Sequence, residues 1–165
     1  MKLPLIFIAI VMLSACSMTE PQVAALEPSS SRLDQNCVEQ VFKREAQSNG
    51  HASQFLALAN NAEACLGNQQ FSANHPDNHT AMQLQALAVT SYIKSGEVSL
   101  AKSALTEFKR KFPMQDLVYP DFTSFLDSAT ALLEYEHLSQ YQLARLNINP
   151  LLRKELDRQQ RWLSQ

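Results

Sequence analysis

Few side chains in this sequence are suited to chemistry, and they fall into two groups. The first is the run Asn74-His75-Pro76-Asp77-Asn78-His79. His75 and His79 are spaced as zinc ligands can be, with the Asp77 carboxylate between them, so the run offers a metal site or the base of a metal-dependent hydrolase. A turn leading into a helix uses the same residue types, since Pro sets the backbone and Asp and Asn supply capping oxygens. The second group is the three cysteines, Cys16, Cys37 and Cys65. No Cys-x-x-Cys spacing occurs, which speaks against a redox or metal pair. The glycines, at 50, 67 and 96, are too scattered to cradle a phosphate. Neither a Gly-x-Ser-x-Gly elbow nor a His-Glu-x-x-His helix is present. His51 and His137 fall at expected helix ends, where an imidazole meets the helix dipole. The expectation is a protein with no catalytic residues, no metal and no cofactor. An envelope hydrolase or metal-binding protein built on His75, Asp77 and His79 is the alternative.

Cys16 has a context of its own. Met1 and Lys2 precede an apolar run from Leu3 to Leu13, which closes on Leu13-Ser14-Ala15-Cys16. As a helix, that run spans about 16 Å, roughly half the thickness of a bilayer core, so it is an export signal in layout and too short for a permanent anchor. Leu13-Ser14-Ala15-Cys16 resembles the lipobox of bacterial lipoproteins. The resemblance implies cleavage before Cys16, which then carries diacylglycerol and a palmitate-type acyl chain as the new N-terminus. Several chains make residence durable, since each buried methylene adds about 0.8 kcal/mol. Ser17 stands where inner-membrane retention typically has Asp, so the resemblance further implies the outer membrane, facing the periplasm by default. Residues 1–15 are thus read as signal peptide and 16–32 as a solvated tether containing Pro, Ser and Glu. Extended, that tether reaches up to about 50 Å.

The remainder, 33–165, is one domain's worth of chain. The sequence carries 14 basic and 16 acidic side chains, and loss of Lys2 with the signal leaves 13 basic. That balance excludes the basic excess that nucleic-acid binding needs. With Cys16 committed to lipid, Cys37 and Cys65 form an even pair in an oxidising compartment. They lie 13 and 15 residues either side of Gly50, where Asn49-Gly50 reads as a helix stop. In two antiparallel helices those offsets bring the thiols opposite each other at about 20 Å from the turn, which predicts a Cys37–Cys65 disulfide.

Helical spacing recurs along the domain. Leu33, Cys37, Val38, Val41 and Phe42 make one apolar face, and Phe55, Leu58, Ala59, Ala62, Cys65 and Leu66 make the next. Thr80 to Ser95 presents a wide apolar face, and Glu97 to Phe112 a single stripe of Val98, Ala101, Leu105, Phe108 and Phe112 before Pro113. A fifth helix is predicted near Asp121, running through Phe122, Phe125, Leu126, Ala129, Leu132 and Leu133. A sixth begins at Asn149-Pro150, carrying Leu152, Leu156, Trp162 and Leu163, with Ser139 to Asn147 as a short helix or irregular link. The fold class predicted is all-α, about six helices in three antiparallel pairs, as a short solenoid or irregular bundle.

Tyr92, Gly96, Ala101, Leu105 and Pro113 fall at offsets similar to the aromatic, turn glycine, packing alanine, large apolar residue and final proline of one tetratricopeptide unit. Ala46, Gly50, Ala59 and Ala62 occupy comparable places in the first pair. The lipobox and a repeat-like pair also occur together in outer-membrane assembly lipoproteins and pilotins. The function expected is a lipid-anchored adaptor that binds another cell-envelope protein, is held to the membrane through Cys16, and has no nucleic-acid partner. Tyr119, Tyr135 and Tyr141 are candidates to line a peptide groove or to fill the core.

Overall fold

Asp34 starts the first helix by placing its carboxylate under the N–H groups of Asn36 and Cys37, at 2.9 and 3.4 Å. That helix, α1, spans Gln35–Ala46; α2 (Ala52–Leu66), α3 (Asn78–Ser95) and α4 (Val98–Lys111) follow. After a long connection come α5 (Phe125–Glu134), a 3-10 turn at Tyr135–His137, α6 (Gln140–Arg145) and α7 (Pro150–Leu163). The structure, a computed structural model, describes residues 31–163. The lipobox with Cys16, residues 1–15 and the proposed tether up to residue 30 lie outside the described residues, as does the side chain of Leu163. The described chain is all-α, with one isolated antiparallel bridge, Val118 to Ser124. No helix among the described residues is long and apolar enough to cross a membrane.

The first four helices form two hairpins. At the end of α3, Gly96 has φ +84°, a left-handed conformation that lets the Gly96 and Glu97 N–H groups return to the carbonyls of Ile93 and Tyr92. Gly67 follows α2 directly, whereas Gly50 lies in the turn beyond the Gln47 cap of α1. Cys37 and Cys65 form a disulfide with Cα atoms 5.7 Å apart, joining the first turn of α1 to the last of α2. α3 is the central element. Leu84, Gln85, Ala88, Val89 and Ser91 are all buried, because α2 and α4 pack on opposite flanks and leave little of the helix to solvent. Tyr92 ties α3 to α2 by donating to Glu63 at 2.8 Å, and burial, with that carboxylate, pushes the phenol up to about 12.

Phe108 of α4 lies between Phe112 and Phe125, with ring centroids 5.1 and 4.8 Å away, so α5 is clamped onto the second hairpin by aromatic packing. A second small core of Ala131, Leu143, Ile148 and Leu156 holds α5, α6 and α7 together.

Among the described residues there are seven α-helices, because the Ser139 to Asn147 segment takes its short-helix form, in which Ser139 and Gln142 make the reciprocal capping box of α6. α5, α6 and α7 thus make a cluster of three. Two expectations are corrected. The fifth helix begins at Phe125 rather than near Asp121, since Ser124 is its cap and accepts the Asp127 N–H. Phe122 consequently leaves the apolar run and stands 80% exposed. Val98, placed in the buried stripe of α4, is itself exposed at the first turn, while Ala101, Leu105, Phe108 and Phe112 are buried.

Candidate functional site: a cleft beside an apolar hairpin

The His75–His79 loop folds around a structural bond. Asp77 is buried and accepts from Arg32 Nε and Nη2 at 2.7 and 2.8 Å, and its Oδ2 also takes the Leu33 N–H at 2.9 Å. Both oxygens are occupied in fastening the start of the domain to α3. His75 Nδ1 accepts the Asp77 N–H at 3.1 Å while its ring packs on Phe71, and His79 is exposed. Among the described residues no three His, Cys, Asp or Glu side chains are grouped to hold a metal ion.

The hydrogen bond from Arg32, aided by the Leu33 N–H and opposed by burial, holds the Asp77 carboxyl below the ordinary carboxylate range. A pKa lower in the folded state means stability that is present above the unfolded value near 3.9 and lost as pH falls through the folded value. Asp77→Ala should therefore cost about 1–3 kcal/mol at pH 7 through lost hydrogen bonds to a buried acceptor. The exposed Arg32 head group adds little of its own. Urea unfolding of both proteins at pH 6 and pH 3 checks this, with the gap expected to narrow at the lower pH. A gap unchanged across that range would show that the carboxylate charge is irrelevant.

The functional geometry lies elsewhere, where three separate segments meet. A cleft of about 200 Å³ is lined by Phe42 and Glu45 of α1, by Gln83, Ala86, Leu87 and Thr90 of α3, and by Leu117 and Tyr119. Its outer wall is the connection between α4 and α5, which turns back on itself at Tyr119–Phe122. Tyr119 N–H donates to the Thr123 carbonyl and Phe122 N–H to the Tyr119 carbonyl, both at 2.9 Å, and Phe125 N–H closes the base on the Leu117 carbonyl. Asp116 accepts the Ser124 hydroxyl and, at 3.0 Å, the Leu126 N–H. From behind, Asn147 Nδ2 donates to the Phe122 carbonyl at 2.8 Å and Asn149 Nδ2 to Asp121 at 3.0 Å. The Thr123 hydroxyl and the Asn149 amide on Asp121 hold its carboxyl below the usual range.

That bonding supports an unusual surface. Val118, Tyr119 and Phe122 are 65%, 38% and 80% exposed, and Phe122 adopts φ +62°, a left-handed conformation that costs a bulky residue about 1–2 kcal/mol. A rigid hairpin therefore pays strain to present aromatic and branched side chains to solvent beside a cleft. The cleft's one charged lining residue is Glu45. A segment with apolar anchors and a basic residue is chemically matched to it.

Of the three candidate tyrosines, Tyr119 lines the cleft, Tyr135 packs against the second core, and Tyr141 is exposed beside Arg145. Val118 and Phe122 were missed as surface residues; the signal available was Pro120-Asp121, a turn pair inside an apolar run. The sequence also holds two Ser-x-x-Lys spacings, Ser91/Lys94 and Ser99/Lys102. Ser91 is buried and Lys94 sits over the Phe55 ring at 5.1 Å, while Ser99 and Lys102 share an exposed turn, so neither pair forms a nucleophile and base. On α7, Arg153 donates to the carbonyls of Leu143 and Leu146, and Arg158 pairs with Glu155, so these charges are spent on capping and local pairing. Compared with known proteins, the chain matches no family model, no curated protein and no solved structure.

Proposed function

We propose that this protein is a lipid-anchored adaptor or assembly factor of the bacterial outer membrane, facing the periplasm, that holds a segment of another envelope protein in the cleft between α1 and α3. The observation that carries the reading is the hairpin: Leu117 and Tyr119 line the cleft, and Val118 and Phe122 of the same hairpin are exposed, on a backbone fixed by bonds from α5 and from the link between α6 and α7. Preorganised apolar anchors beside a cleft favour binding, because little conformational freedom is lost when a partner docks. The lipobox supplies the address, and the helix pairs with tetratricopeptide-like spacing supply a binding scaffold of known type. The protein acts by binding and not by catalysis.

A photoreactive phenylalanine in place of Phe122, expressed in whole cells of the source bacterium, tests the site. One dominant crosslinked protein is expected, absent when the same group replaces the exposed Lys102 of α4. No adduct, or the same adducts from both positions, would reject the cleft. With the partner segment in hand, Phe122→Ala should weaken binding about tenfold, the effect of deleting an aromatic anchor. The thermal midpoint should not move, because the side chain is 80% exposed. Mass spectrometry of the mature N-terminus tests the anchor independently.

A further inference from the structure

The end of the domain where the chain enters is built differently from the rest of the surface. Arg32 is held by Asp77, the next residue Asn78 donates to Gln115 at 2.6 Å, and Lys111 donates to the Gly67 carbonyl at 2.7 Å. These bonds gather the start of α1, the end of α2, the start of α3 and the end of α4 at one end. Its two loops, residues 67–76 and 112–115, contain no Asp, Glu, Lys or Arg. The charges nearest them are engaged: Asp77 by Arg32, Asp34 by the N–H groups of α1, Lys111 by Gly67, and Asp116, two residues beyond Met114, by the Ser124 hydroxyl and the Leu126 N–H. In the middle of this uncharged end, Met114 is 105% exposed and holds a left-handed φ of +60°. These two charge-free loops thus meet at the most exposed apolar side chain among the described residues, at the end of the domain from which the chain leads back toward Cys16.

We propose that this end is a second membrane contact: Met114 seats in the headgroup region of the lipid bilayer, and the helices of the two hairpins stand up from it. The inference rests on the lipid anchor at Cys16. About fifteen residues join Cys16 to the domain, so the end face is confined within about 50 Å of the lipid. Confinement on that scale gives a roughly millimolar effective concentration, at which one apolar side chain on an uncharged platform is enough to bias orientation. No exposed carboxylate in the two loops opposes anionic headgroups. A partner protein covering Met114 is the competing occupant.

The test uses the full acylated chain, purified in detergent and reconstituted into vesicles of phosphatidylethanolamine and phosphatidylglycerol containing brominated lipid. Trp162, the sole tryptophan, is replaced by Trp162→Phe, and reporters are introduced as Met114→Trp or, at the opposite end, as Asn49→Trp. Bromine quenching acts at short range, so the Met114→Trp protein should lose at least about half its emission and shift to the blue. The Asn49→Trp protein should change little. Equal quenching of both, on protein whose mass confirms acylation, overturns the membrane contact and leaves the anchor standing. A mature protein without acyl mass removes the anchor and this contact together. Met114→Cys carrying a polarity-sensitive dye gives the same readout should the indole disturb the loop, since Cys37 and Cys65 are already bonded.

Discussion

Replacing Cys37 and Cys65 with serine together should lower the unfolding free energy by about 3–4 kcal/mol, the loop-closure contribution expected for a cross-link across this interval. The bond spans 28 residues and joins the open end of the first hairpin. For a domain of this size the thermal midpoint should fall by about 10–20 °C. The dependence is strong because α1 brings little else: within it only Val38 and Val41 are buried, beside Leu33 just before it. Most of its other residues face water, so without the cross-link α1 should fray first. Phe42 and Glu45 would leave the cleft with it, and binding should weaken alongside stability. Thermal melts followed by circular dichroism, with and without a strong thiol reductant, measure the effect. Coincident melts on protein shown to be reduced would mean that the packing of α1 on α2 suffices alone. The same chemistry makes an oxidising compartment a requirement for full stability.

Features with local physical causes were legible in the sequence. Gly96 was readable as a stop because a left-handed residue is needed to return two N–H groups to the last turn of α3, and glycine adopts that conformation without strain. Asn149-Pro150 was readable as a start because the Asn149 side chain takes the Leu151 N–H at 2.9 Å. The disulfide was legible because two offsets about one turn determine which residues of a hairpin face each other. Phe122 was misplaced for an equally physical reason. Its position continues the 3.6-residue apolar spacing of Phe125, Leu126 and Ala129, and only the capping of α5 by Ser124 and the capture of Ser124 by Asp116 turn the backbone away. Asp77 carried no sign that its partner was Arg32, 45 residues earlier. The cleft was out of reach of any spacing rule, since its lining comes from α1, α3 and a connection far down the chain, and no periodicity links them.

Phe125→Ala should separate the fold from the function. Phe125 is wholly buried, packs on Phe108 at 4.8 Å and donates its N–H to the Leu117 carbonyl, so it fastens both α5 and the base of the hairpin to the second helix pair. Removing the ring leaves a cavity that rigid neighbours fill only in part, at a cost of about 3–5 kcal/mol. The neighbouring Phe122→Ala deletes a ring of the same size with no stability loss, because that ring already faces water. The two variants therefore predict different pairs of numbers. Phe125→Ala lowers both the urea midpoint and the affinity for the crosslinked partner segment, because a loosened hairpin must be reordered on binding. Phe122→Ala lowers the affinity alone. If Phe125→Ala lost stability yet bound the segment as tightly as the unaltered protein, the hairpin would not be a wall of the binding site, and the exposed Phe122 would need another explanation.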